Sequence, residues 1–299
     1  MAKKSKGMAL AEYCALRGAC ALVNAVPYRV ACAIARALAW VLVNVFRFKR
    51  RRTLARIHGC FPEKTRREAV RIAVSSLANV LMNAVEMMRA PSLDLAWIES
   101  HVKDVHLYAD RLKGIADEGK GVVIMVPHSG NWYMAAWAMA RCGVPLFAIA
   151  ARQRNQYVDA WMNRQYGEGL DVVSRGSVRV MAEIIGRLRH GKCFAILPDL
   201  RVPVKDVQVP FLNGVANVSH GGAAFATSVG APIVVAVMRR ENGKHVFDHL
   251  ATLRPDPALN RKDDSVRLTR EVMRILDEAI QKTPEFWFWY NKRWILQPV

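Results

Sequence analysis

Residues 121–136 read GVVIMVPHSGNWYMAA. An apolar, β-branched run breaks at Pro127, delivers His128, passes through Ser129-Gly130-Asn131 and continues as a Trp- and Ala-rich segment of helical character. That order describes a strand with a histidine at its carboxyl end, leading into a helix. In an open α/β sheet this edge collects ligands and catalytic groups, because its turns are exposed while the strand and helix behind them are rigid. A lone histidine also suits packing or solvation. Position and neighbours make His128 the first candidate for chemistry.

Beyond Pro91 the same grammar repeats. Apolar runs at 121–126, 145–150, 171–173 and 193–197 predict strands, and the segments 131–141, 155–166 and 178–189 between them have helical spacing. Such alternation calls for an α/β fold with a largely parallel, mixed central sheet flanked by helices, since parallel neighbours need crossovers and the crossover helices cover the faces. Residues 207–211 and 232–237 predict further strands, 221–229 a small-residue helix able to pack closely on the sheet, and 263–281 a last amphipathic helix. Upstream, Ala69, Ile72, Ala73, Leu77, Val80, Leu81, Ala84, Val85 and Met88 recur at helical spacing over 63–89, read as packing and not chemistry. The sequence contains no internal repeat, P-loop or dinucleotide-binding glycine fingerprint.

A chain of 299 residues with 52% hydrophobic content can bury a large core, which excludes a disordered protein. We divide it into a basic, apolar helical region over 1–90 and an α/β domain over 91–299. The net charge of +19 is concentrated in the first region, where 17 Lys and Arg face 4 Asp and Glu. Within it, 9–46 is nearly continuous in apolar residues, broken by Arg17, by Pro27-Tyr28-Arg29 and by Arg36, and predicts two helices. The second, over 31–46, holds an arginine and falls short of the roughly twenty apolar residues a membrane span needs. Lys3, Lys4 and Lys6 precede the pair; Arg47, Lys49, Arg50, Arg51, Arg52 and Arg56 follow it. Anionic headgroups attract such residues by about 1 kcal/mol each. The expectation is therefore a helix pair lying on a membrane surface, the alternative being core helices with a solvated basic end. No small-residue cleavage site marks a signal peptide. Nucleic acid is not an expected partner, because the basic residues flank apolar helices instead of interleaving with exposed aromatics.

Cys14, Cys20, Cys32, Cys60, Cys142 and Cys193 lack paired spacing and sit in apolar patterns, as small hydrophobes in a reducing compartment do. His245 and His249 flank Asp248, but in a strand-like stretch an i, i+4 pair does not converge. No metal site is expected.

With these landmarks in place, the chain resembles the bacterial lipid A biosynthesis acyltransferases, the lauroyl and myristoyl transferase family within the wider lysophospholipid acyltransferase fold. The likeness runs from about residue 10 to 297 and rests on an ordered set of motifs. Phe61-Pro62-Glu63 match the family's FPE segment, and His128, Gly130, Asn131 and Trp132 match its His-x-Gly-Asn-Trp-acid motif. Arg164 matches an arginine in a later helix, Pro198-Asp199 a Pro-Asp pair, and Val209-Pro210-Phe211 a VPF strand. Pro284, Glu285, Trp287, Trp289, Arg293 and Trp294 match a PE-W-W---RW tail.

The resemblance implies a transferase that moves a fatty acyl chain from a thioester, on acyl carrier protein or coenzyme A, to a hydroxyl of a lipid A precursor or related glycolipid. It implies no other cofactor, and a place on the cytoplasmic face of the bacterial inner membrane. His128 would be the general base and the backbone N–H groups at Gly130 and Asn131 the oxyanion donors. Arg152, Arg154, Arg164 and Arg175 would bind sugar phosphates or a phosphopantetheine arm. Structural alternatives stand beside these roles: Arg164 pairing with Asp171 or Glu168, Asp199 capping the turn after Pro198, and Arg179, Arg187 and Arg189 forming a solvated helix face. Trp132 and Trp137 read as packing; Trp287, Trp289 and Trp294 as core or as an interfacial belt.

Two positions depart from the pattern. Where the family has an acid five residues after the histidine, this chain has Tyr133, a phenol that supplies no counter-charge to an imidazolium. Three readings follow: Asp199 takes over the acid's place, Tyr133 merely orients the ring at a lower rate, or the chain keeps the shape as a lipid-binding scaffold without turnover. Asn291 occupies a tail position where relatives often have histidine.

Overall fold

The computed structural model describes residues 5–150, 152–165, 170–174 and 179–296. Arg175 and Glu168 lie outside the described residues. Six helices precede the sheet: α1 (Lys6–Ala25), α2 (Tyr28–Asn44), α3 (Arg50–Cys60), α4 (Arg66–Arg89), α5 (Leu95–His101) and α6 (Val105–Ala116). Alternating elements follow as β1 (Val122–Met125), α7 (Trp132–Arg141), β2 (Leu146–Ala150), α8 (Gln156–Gln165), β3 (Asp171–Ser174), α9 (Val180–Arg189) and β4 (Cys193–Ile196). The chain closes with the hairpin β5 (Val207–Phe211) and β6 (Gly214–Val218), then α10 (Gly221–Val229), β7 (Ile233–Glu241), β8 (Lys244–Leu253) and α11 (Arg261–Lys282).

Among the described residues the main sheet has the order β3-β2-β4-β1-β7-β8, parallel throughout except for β8, which returns antiparallel from β7. The expected α/β architecture is therefore present. β1 is central and buried on both faces, as its unbroken VVIM requires. Val123 and Met125 join Phe147, Phe194, Phe225 and Met273 in one core layer, while Val122 and Ile124 join Leu112, Ala138 and Met139 in the other. The chain enters β1 at Gly121, whose φ of +66° and packing leave no room for a side chain: a Cβ there would sit 2.6 Å from the Leu188 and Lys192 carbonyl oxygens.

The amino-terminal helices share the first of these layers, which runs continuously from Ala31 to Ile295. α2 buries Ala31, Cys32, Ala35, Ala39 and Val43, leaving Val30, Ile34, Leu38 and Trp40 exposed, with Phe46 and Phe48 exposed just beyond its end. Among the described residues no helix is long and apolar enough to cross a membrane. Arg56 departs from the expected role. Instead of joining a solvated basic cluster it is buried on α3, donates to the carbonyls of Trp289 and Asn291 at 2.8 Å, and lies over the Trp294 ring.

α4 holds more than packing. On its buried face Ser76, Asn79, Asn83 and Glu86, spaced by a helical turn, form a polar stripe. Ser76 donates to the Trp287 carbonyl, Asn79 to that of Glu285 and Asn83 to that of Gly130. Glu86 accepts from Tyr28, Arg240, His245 and Asn131, joining α2, α7, β7 and β8 at one carboxylate. Burial opposes its ionisation, but the His245 and Arg240 side chains hold it well below the usual carboxylate range. Glu86→Ala strands the Arg240 charge in the interior. The expected loss is about 3–5 kcal/mol of unfolding free energy, read by denaturant titration, with Glu86→Gln losing less.

Candidate active site

Parallel register brings the two principal candidates together. Val122 lies opposite Cys193 and Met125 opposite Ile196, and the same 71-residue offset carries past the strand ends to His128 and Asp199. One Asp199 oxygen accepts from the His128 ring Nδ1 at 2.7 Å. The other accepts from the His128 backbone N–H and from the indole Nε1–H of Trp287, each at 2.8 Å. Burial alone would push the Asp199 pKa up, but the His128 side chain beside it and the bonds from ring, indole and backbone hold it below the usual carboxylate range. Because an ionised carboxylate only accepts, the Nδ1 it touches must carry the proton. Nε2 is then the basic nitrogen.

The carboxyl partner on Nδ1 is thus Asp199, which does not serve as a mere cap. Tyr133, in the motif acid's place, is half-buried against Trp132, with ring centres 5.6 Å apart, and burial raises its phenol pKa so that it stays neutral. Trp132 meets the His128 ring edge-on at 5.0 Å, so it belongs to the site as well as to the packing. Trp287, Trp289 and Trp294 are core: all are buried and packed on one another.

Gly130 needs correcting. Its N–H donates to the Phe286 carbonyl at 3.0 Å and its own carbonyl accepts from Asn83, so this backbone is fastened and not open to an oxyanion. The residue's necessity is steric. At φ +59° a Cβ would lie 2.1 Å from the Met238 carbonyl oxygen. The buried Asn131 side chain caps α7, accepting from the Met134 N–H at 3.0 Å, and donates to Glu86. The C-terminal tail completes the enclosure: Ser129 bridges to Trp287 and the Phe288 N–H donates to the His128 carbonyl.

His128 and Ser129 line a cavity of about 750 Å³ whose walls are mostly apolar. Ile124, Met139, Val172 and Met238 line it on one face of the sheet, and Met125, Gly222, Phe225 and Met273 on the other. Arg152, Arg154 and Arg164 do not line it; all three are exposed on or before α8, although Gln153 between the first two reaches the wall. Among the described residues the Arg or Lys lining the cavity is Arg293, which donates to the Arg201 carbonyl at 2.9 Å. Asp171 pairs with Arg187, which also pairs with Glu183 and lies over the Phe147 ring, so Arg187 is not simply solvated. Asn291 does not line the cavity; its carbonyl accepts from Arg56 and its side-chain oxygen from the Arg293 N–H.

Residues 1–295 match the family described as bacterial lipid A biosynthesis acyltransferase. The chain belongs to that family. Among its relatives is a phosphatidylinositol mannoside acyltransferase of Mycolicibacterium smegmatis, 24% identical over 252 residues that cover 82% of this chain and 78% of the relative. Another is a lipid A biosynthesis palmitoleoyltransferase of Escherichia coli, 23% identical over 284 residues, or 91% of this chain and 87% of the relative. The protein is accordingly an O-acyltransferase acting on a lipid acceptor.

Within this acyltransferase the Asp199 carboxylate also has a stability signature. Its folded pKa is depressed, so its contribution is fully present above the ordinary carboxylate pKa of about 4 and is lost as pH falls through the folded value. Thermal melts of Asp199→Asn should lie below those of the parent at pH 7, with the gap closing in acid.

Proposed function

We propose that the protein transfers a fatty acyl group from acyl carrier protein to a hydroxyl of a phosphorylated or glycosylated lipid, with His128 as general base. The observation that carries this reading is a carboxylate-oriented imidazole beside an apolar cavity large enough for a hydrocarbon chain. Each buried CH₂ contributes about 0.8 kcal/mol to holding such a chain.

In the proposed reaction Nε2 accepts the acceptor's hydroxyl proton as its oxygen bonds to the thioester carbonyl carbon. The imidazolium is stabilised by Asp199 across Nδ1. Collapse of the tetrahedral adduct breaks the C–S bond, and the proton passes from Nε2 to the departing thiolate. No acyl-enzyme is formed. With the Gly130 N–H committed to the Phe286 carbonyl, we assign the oxyanion to the positive amino-terminal end of α7. Arg293 and the exposed Arg152, Arg154 and Arg164 supply the positive field for an acidic carrier protein or a lipid phosphate. The scheme calls for no cofactor beyond the donor thioester, and coenzyme A is the competing carrier.

Asp199 removes the motive for reading the chain as an inactive scaffold, since Tyr133 is no longer the ring's partner by default. Transfer of a labelled acyl chain from acyl carrier protein or coenzyme A thioesters to lipid acceptors tests the scheme. His128→Ala should abolish turnover, Asp199→Asn should lower kcat by about 10² to 10⁴-fold, and Tyr133→Phe should change it less than about threefold. Equal rates from parent and His128→Ala would overturn it.

We place the enzyme at the cytoplasmic face of the inner membrane, lying on the bilayer through α1 and α2. Support comes from the exposed apolar stripe of α2 and the basic residues around it. Flotation with vesicles containing phosphatidylglycerol should recover the parent protein. Replacing Trp40, Phe46 and Phe48 with serine should leave most of it unbound while the fold persists.

A further inference from the structure

A second cavity, of about 730 Å³, shares no lining residue with the catalytic one. It lies between α2, α4, the β7–β8 turn and the single helical turn at Pro284–Phe286. That β7–β8 turn is a two-residue connection, Asn242-Gly243, with both residues at positive φ. Its tightness sets Arg240 and Lys244 at the cavity on adjacent strands, and Arg29 and Arg36 face the same space from α2.

The charge there is unbalanced. Arg29, Arg36, Arg240 and Lys244 line the cavity with Glu285, and because the buried Glu86 neutralises Arg240 from behind, Arg29, Arg36 and Lys244 stand in excess over one acid. Among the described residues Arg29, Arg36 and Lys244 make no ion pair; Arg36 reaches only the Met82 sulfur, at 3.6 Å. Arg240 differs from these rim residues because its side chain is 11% exposed and locked, its two terminal nitrogens on Glu86 and Asn83 and its Nε–H left without a partner. Arg240 is thus a fixed, neutralised floor, and the exposed Arg29, Arg36 and Lys244 are the cations open to an oxyanion. Ser75, Asn242 and the Asn79 amide oxygen add neutral polar groups to the same walls, the complement of hydroxyls on a sugar or glycerol; the Asn79 amide nitrogen and the Ser100 hydroxyl are already held by the Glu285 and Trp97 carbonyls.

We propose that this cavity binds a phosphate ester headgroup, at a site separate from the acyl-transfer centre. The phosphate sits among Arg29, Arg36 and Lys244 over the Arg240 floor, and the polar walls take the alcohol portion. Several converging cations suit a doubly charged phosphate better than a carboxylate, and the volume exceeds what a bare ion needs. The site goes beyond the acyl-transfer reading and does not depend on it.

Calorimetric titration of the full chain tests it with three probes: inorganic phosphate, sn-glycerol 3-phosphate, and dihexanoyl phosphatidic acid below its micellar concentration. Saturable binding is expected. The combined variant Arg29→Gln, Arg36→Gln, Lys244→Gln should weaken it at least about tenfold, the size of one lost charge-assisted bond. A matched variant on another basic surface, Arg47→Gln, Arg51→Gln, Arg52→Gln, should change it less than about twofold. His128→Ala should bind like the parent, which separates this site from the fate of the acyltransferase scheme. Binding at least about tenfold tighter for the short-chain lipid than for the ions identifies a lipid headgroup as the source; equal affinities identify a free phosphate compound. No saturable binding by any probe, unchanged affinity in the cavity variant, or equal losses in both triple variants would overturn the proposal.

Discussion

Asp199 accepts hydrogen bonds in a place solvent scarcely reaches, and its donors come from separate parts of the chain: the ring and backbone of His128 at the end of β1, and the indole of Trp287 in the C-terminal tail. A buried carboxylate with fewer donors would protonate or seek water. With its donors in place it stays ionised and holds the proton on Nδ1. The geometry needs no adjustable loop. Two parallel strands in register set the residues side by side, and the tail closes over them. This is why Tyr133 can stand where relatives of the motif have an acid. The counter-charge arrives through the sheet from β4, so the first turn of α7 is relieved of supplying it.

Much of this was legible in the sequence because the signals were periodic. Alternating apolar runs and helical spacing gave β1 through β4 with α7 to α9 between them, while 207–211 and 221–229 coincide with β5 and α10. Asp199 was legible only through the family resemblance, whose Pro-Asp pair implied a carboxylate at the end of a nearby strand. What stayed hidden lacked a period or had a misleading one. α5 and α6 are short, and the return strand β8 showed only as a strand-like stretch around His245 and His249, because Lys244, Asp248 and His249 interrupt its apolar pattern. The polar stripe of α4 was present in plain view as Ser76, Asn79, Asn83 and Glu86, at spacings of three and four within an apolar helix. Such a stripe on a buried face means that something polar packs against it. Its partners are carbonyls of a turn and a tail more than forty residues away, which no local pattern announces.

Charge was the least transparent signal. The excess of arginines before residue 90 reads as one surface property, yet its members do different work. Arg56 is buried under the tail, its guanidinium drawn down to about 10 by burial, and Arg89 donates to the carbonyls of Val23 and Val26 at the end of α1. These two satisfy backbone acceptors that helix ends and tails leave open. Arg47, Arg51 and Arg52 remain exposed beside Phe46 and Phe48, where a basic rim adjoins apolar surface. Sequence counts charges; only packing separates those that fasten the fold from those that face outward.

The two buried carboxylates divide the labour of holding one short turn. Asp199 fixes the His128 ring from the side of the sheet, while Glu86, through Arg240, Asn83 and Asn131, fixes the peptide units immediately after it from the side of α4. Gly130, pressed against the Met238 carbonyl, lies between them and cannot relax in either direction without losing a bond. An imidazole held this way has little orientational freedom left to lose, which is where positioned groups gain over the same groups in water. Neither carboxylate alone achieves this. With only Asp199 the ring would sit on a peptide held by the tail but not from the side of α4, and with only Glu86 the ring would lack its carboxylate partner.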